Sequence, residues 1–117
     1  MRIMLTRDSV CAADDMTAPN ETAFEIAHPK SIEELVTGVC GRIELPSIAG
    51  GRATWCLSSR IPLAVIAQEW SSSRMVWGAT TLPIPKDSHI IELHASYFAQ
   101  LDPEVVFEVL GRLRLAR

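Results

Sequence analysis

Several side chains able to attack, chelate or repel crowd one short stretch. TRDSVCAADDMTAP, residues 6–19, holds Asp8, Asp14 and Asp15, with Cys11 among them. A thiol becomes a nucleophile when a neighbouring base or cation favours the thiolate. Arg7 is close in sequence, but the three carboxylates act in the opposite direction. The aspartates also lack the D-x-D-x-D-G spacing that wraps ligands round one calcium ion, so turn formation is their expected structural role. A second set lies in HIIELHASYF, residues 89–98. His89 and His94 are five apart, which on a strand puts them on opposite faces and prevents joint chelation. Glu92 and His94 share a face, but two ligands do not complete a metal site. Glu33 and Glu34 are adjacent, and helix capping accounts for the second. No acid/base pair is specified, and no catalytic residue, cofactor or metal is expected.

Whatever these residues do, a chain of 117 residues must position them within one domain, residues 1–117. A content of 48% hydrophobic and 21% charged residues suits a globular protein with a real core. No apolar run reaches the roughly 18–20 residues of a membrane span, and MRIMLTRD is too short an apolar start for an export signal. The expected location is therefore the cytoplasm. Cys11, Cys40 and Cys56 form no C-x-x-C pair, so reduced thiols are expected. Charge is uneven: residues 1–44 carry eight acids against four bases, and residues 45–117 carry six against seven. An acidic first half argues against binding a phosphate backbone and is compatible with a basic partner.

Along the chain, MRIMLTR (1–7) alternates Ile3 and Leu5 against Arg2, Met4 and Thr6, which predicts a strand. ETAFEIAH (21–28) alternates around Phe24 and Ile26, and Pro29 closes it. Ser31-Ile-Glu-Glu34 spells a capping box, with the Glu34 carboxylate expected to return to the N–H of Ser31. Ile32, Leu35, Val36, Val39 and Cys40 then make one apolar stripe of a helix over 32–40, with Gly41 as a left-handed stop. Gly38, inside that helix, suggests a close approach to a sheet. Gly50-Gly51 leads into ATWCLSS (53–59), which alternates as a strand, so these glycines read as turn punctuation rather than a phosphate loop. After a turn at Arg60-Ile-Pro62 comes LAVIAQEW (63–70), apolar on both faces. A connector over 71–88 has room for one short strand near Met75–Trp77. HIIELHASYF is the last strand, with Ile91, Leu93, Ala95 and Tyr97 on one face and Ile90, Glu92, His94, Ser96 and Phe98 on the other. Asp102-Pro103 starts a helix over 102–116, with Val105, Val106, Val109, Leu110 and Leu113 as its expected stripe.

This order, with HPKSIEEL entering a helix after an alternating strand and IIELHASY following later, resembles the ubiquitin-like β-grasp fold over residues 1–98. The resemblance implies an α+β architecture: a mixed sheet (ββαβββ), one helix across it, and here an added C-terminal helix. It also implies that LAVIAQEW lies at the sheet edge, where its apolar character needs a cover from the connector strand, a partner or a second copy. The carriers of that family end in Gly-Gly. This sequence ends Arg-Leu-Ala-Arg, so carrier activity is not implied.

The leading functional expectation is a small non-catalytic protein-interaction module of the inhibitor or immunity type. Its partner would be another protein with a basic surface, not nucleic acid or a membrane. A loop this long in a compact domain is usually functional or disordered, which makes Asp8, Asp14 and Asp15 the expected partner-binding residues. Trp77 joins them, because an exposed tryptophan anchors recognition. Two alternatives stand beside this: a small enzyme using Cys11 or the His94/Glu92 face, and a homo-oligomer pairing through strand 63–70.

Overall fold

The computed structural model describes residues 1–8, 21–43, 53–76, 89–99 and 101–115. Its six strands are β1 (Arg2–Arg7), β2 (Glu21–Glu25), β3 (Thr54–Ser59), β4 (Ile61–Ala67), β5 (Arg74–Met75) and β6 (Ile90–Tyr97). Among the described residues the helices are α1 (Ile32–Cys40) and α2 (Pro103–Leu115). The strands form one mixed sheet in the order β2-β1-β6-β3-β4-β5. Only β1 and β6 run parallel; every other neighbouring pair is antiparallel. The protein is therefore α+β, a six-stranded mixed sheet with α1 across one face and α2 against the other.

The alternation within each strand decides which residues α1 covers. Ile3 and Leu5 of β1, Phe24 of β2, Trp55 and Leu57 of β3, and Ile91, Leu93 and Ala95 of β6 form one buried cluster with Ile32, Leu35, Val36 and Val39 of α1. Burying a side chain of this size contributes about 1.5–3 kcal/mol relative to exposure. Trp55 packs against Tyr97 with ring centroids 4.8 Å apart. Among the described residues no acceptor reaches its buried indole N–H.

The opposite, outer face is covered over part of its width. α2 sits against β4, where Val106 joins Val65 and Val76, with Trp70, Phe98, Phe107 and Leu110 around them. Buried Thr54 secures the approach to this helix: its hydroxyl donates to Leu101 O at 2.9 Å, and its N–H to Ala99 O at 3.0 Å. Arg74 ties β5 to the first turn of α2 through Glu104 at 2.8 Å while lying over the Trp70 ring.

Several local expectations are corrected. Glu34 N donates to Ser31 Oγ at 3.1 Å, as a capping box requires. The returning Glu34 carboxylate, however, reaches the N–H of Lys30 at 2.8 Å, one residue before Ser31. Gly41 is right-handed (φ −73°, ψ −12°), because its N–H still donates to Thr37 O and the turn tightens instead of reversing. The reversal between β3 and β4 uses Arg60 alone, at φ 67°, so Ile61 and Pro62 already belong to β4. That strand ends at Ala67, and Trp70 sits in the following turn. β4 is also one place in from the edge, since β5 pairs with Ala64 and Val65. On α2 the packed face runs through Pro103, Val106, Phe107 and Leu110, and Val105 and Val109 point to solvent. The side chain of Leu113 and residues Gly50-Gly51 lie outside what is described.

Gly38 makes no close backbone contact with the sheet. A Cβ placed there would meet Ile26 Cδ1 at 3.4 Å, an ordinary contact with a movable side-chain end. Alanine regains about 1 kcal/mol of helix propensity. Gly38→Ala is therefore expected to stabilise the fold by about 0.5–1 kcal/mol in urea unfolding. A loss of stability would mean that the helix packs more tightly on Ile26 than this separation allows.

Candidate functional site

The parallel pairing of β1 with β6 sets Thr6 opposite His94 and Arg7 opposite Ala95. Arg7 follows Ile3 and Leu5 onto the α1 side, and Thr6 follows Arg2 and Met4 onto the outer face. One step further, Asp8 continues the ladder by donating its N–H to Ala95 O at 3.0 Å, and its side chain turns back over the outer face toward His94.

The three side chains form a chain of hydrogen bonds. Thr6 Oγ1 lies 2.7 Å from His94 Nδ1. His94 Nε2 lies 2.8 Å from Asp8 Oδ1. Asp8 Oδ2 accepts from the backbone N–H of Tyr97 at 2.9 Å. Burial works to raise the Asp8 pKa, but the Tyr97 N–H, the His94 hydrogen bond and the His94 charge outweigh it, and the carboxyl is held below its ordinary value. An ionised carboxylate can only accept, so Nε2 carries the proton when the imidazole is neutral. Nδ1 is then the bare nitrogen, and the Thr6 hydroxyl donates to it. The alternative acceptor for that hydroxyl, Leu93 O, is at 3.5 Å. Both His94 and Asp8 remain open to water, with side chains 43% and 45% exposed.

Beside Thr6 the outer face carries a shallow depression of about 530 Å³, lined by Met4, Thr6, Glu21, Thr22, Ala23 and Glu92 among others. A second, of about 430 Å³, lies between the end of β2 and α1, against Ile26, His28, Pro29, Glu33 and Gly38. Among the described residues no three of His, Cys, Asp and Glu gather closely enough to hold a metal ion. Cys40 and Cys56 are free thiols, and burial pushes both pKa values up, with Ser58 opposing this slightly at Cys56.

Of the residues singled out in the sequence, Asp8 and His94 are brought together. Glu92 stays on the same face of β6, exposed at the rim of the depression. Asp14, Asp15, Cys11 and Trp77 lie outside the described residues. Asp8 also has a use that a partner-facing charge did not include, because both of its oxygens are engaged within the chain. Thr6 and the Tyr97 N–H were not anticipated. Alternation puts Thr6 and His94 each on the second face of its own strand, but nothing local sets the register that joins them. Comparison with protein-family models, with curated proteins and with solved structures finds no match.

A carboxylate held below its ordinary value stabilises the fold above that value, and this contribution fades as pH falls through the lowered one. Wild-type Tm is therefore expected to fall more steeply than that of Asp8→Asn between about pH 5 and pH 2. Parallel curves would remove the charged carboxylate from the account. Peptide-mapped labelling at neutral pH is expected to modify Cys40 and Cys56 at least about tenfold more slowly in the folded chain than in urea. Equal rates would show that burial does not protect them.

Proposed function

We propose that the chain is a small protein-interaction module of the inhibitor or immunity type, acting in the cytoplasm on a protein with a basic surface. The observation that carries this reading is the second apolar face of α2 and its approach. Leu101, Val105 and Val109 recur every four residues and are 57%, 56% and 50% exposed, although the helix already has a packed face. An amphipathic helix needs one apolar face to dock on its own sheet; a second, turned to water, is what a partner surface supplies. The acidic first half of the sequence, with Asp14 and Asp15 in the segment 8–19, gives such a partner its sign of charge. Trp77 is a further anchor in this reading.

Capture from the native source on immobilised chain tests it, comparing wild type with Val105→Ser/Val109→Ser and with Asp14→Ala/Asp15→Ala. The changes on α2 are at exposed positions and should leave unfolding free energy within about 0.5 kcal/mol. A species retained by wild type is expected to be lost from both variants. Retention by both would reject the reading. A concentration-dependent dimer of the wild type, abolished by the valine changes, would put a second copy of the chain in the partner's place.

A further inference from the structure

Thr6, His94 and Asp8 are arranged as nucleophile, base and orienting carboxylate. Thr6 Oγ1 lies 2.7 Å from Nδ1, the nitrogen left bare when Nε2–H donates to ionised Asp8 across 2.8 Å, and that carboxylate is itself fixed by the Tyr97 N–H. Structural stapling of β1 to β6 needs only one of these bonds. The full chain orders one imidazole tautomer and directs its basic nitrogen at a hydroxyl on the rim of an open depression. The lining of that depression limits what can enter. Met4 and Ala23 offer a small apolar surface, and Glu21 and Glu92 stand as carboxylates at its side. Two carboxylates repel phosphate esters and acidic acyl groups. They admit neutral or cationic substrates.

We propose that Thr6 accepts an acyl group from small neutral or cationic esters, with His94 as general base and Asp8 as a positioning residue. This goes beyond the interaction reading and stands independently of it. In the first step the Thr6 Oγ1–carbonyl carbon bond forms while the hydroxyl proton passes to His94 Nδ1. The bond from that carbon to the ester's leaving oxygen then breaks, and the leaving oxygen takes the proton from Nδ1. In the second step water attacks the same carbon and gives a proton to Nδ1. The carbon–Oγ1 bond breaks, Thr6 regains its proton from His94, and the carboxylic acid departs. Asp8 holds Nε2–H and balances the charge of the imidazolium formed in each step.

The test uses p-nitrophenyl acetate and the whole chain, with release of nitrophenolate and the mass of the protein followed together. Wild type is expected to gain one acetyl group that maps to Thr6. Thr6→Val and His94→Gln should lower the acylation rate by about 100-fold, and Thr6→Ser should keep it. His28→Gln and His89→Gln change the two other histidines, both exposed, and should leave it unaltered. Asp8→Asn should lower the maximal rate about tenfold and change the shape of the rate–pH profile, because it removes the carboxylate bonded to Nε2. Among the described residues the groups facing His94 are Thr6 and Asp8 from β1, Ser58 from β3, and Glu92 and Ser96 on its own strand. Melting curves accompany each variant. If Thr6→Val does not fold, the acetyl map and Thr6→Ser decide alone. Acetyl found only on Lys30, Lys86 or the N-terminal amine, or a rate that survives Thr6→Val, overturns the proposal.

Discussion

The parallel ladder between β1 and β6 is the constraint on which the remaining structure depends. It joins residues 2–7 to residues 90–95 at the middle of the sheet, with β2 outside it on one flank and β3 to β5 on the other. A parallel pair cannot be closed by a hairpin and needs a long connection. Here nearly the whole sequence serves as that connection, so its closure entropy is met late and by many contacts at once. Ile3, Leu5, Ile91 and Leu93 supply the apolar part on the α1 side. Thr6, Asp8 and His94 supply the polar part on the other side. Remove the ladder, and β1 and β2 have no sheet to join.

The ladder also explains what could be read from the sequence and what could not. Period-two alternation located the strands and their inward faces, because each strand reports its own burial without reference to its neighbours. Capping chemistry located α1 for the same reason: Ser31 and Glu34 act within one turn. Pairing register is different in kind. Nothing in MRIMLTR or HIIELHASYF states that residue 6 meets residue 94, since sliding β6 by two residues would preserve both faces. Element order alone leaves that shift open. Asp8 was accordingly seen among its sequence neighbours Asp14 and Asp15, as one of three loop charges. Its actual partners are 86 and 89 residues away.

The misjudged face of α2 has a related cause. Val105, Val106, Val109 and Leu110 together satisfy helical spacing, so hydrophobicity alone yields a broad stripe with an undefined centre. Phe107 moves that centre. With Leu110, Trp70 and Phe98 it packs against the buried cluster of Val65, Val76 and Val106, and an aromatic ring buries more area than a valine. Packing thus rotates the helix toward Phe107 and leaves Val105 and Val109 outside. The salt bridge from Arg74 to Glu104 points the same way, fixing the first turn over β5. At 45% and 58% side-chain exposure the pair contributes little stability.

The outer face is thereby divided between two kinds of surface. Over β4, α2 seals it with apolar contacts and shows solvent a second apolar stripe. Over β2, β1 and β6 the sheet itself is open, with polar side chains linked along it. A polar ladder on an open face has to satisfy its own hydrogen bonds or leave them to water, and water competes for every half-exposed group. That competition is the physical reason to take the Thr6–His94–Asp8 chain seriously as more than a strut. Water could take the place of either partner, yet the geometry holds both imidazole nitrogens and both carboxylate oxygens in defined bonds. Order of that extent, where solvent offers an easy substitute, is the geometric basis of the proposal for Thr6.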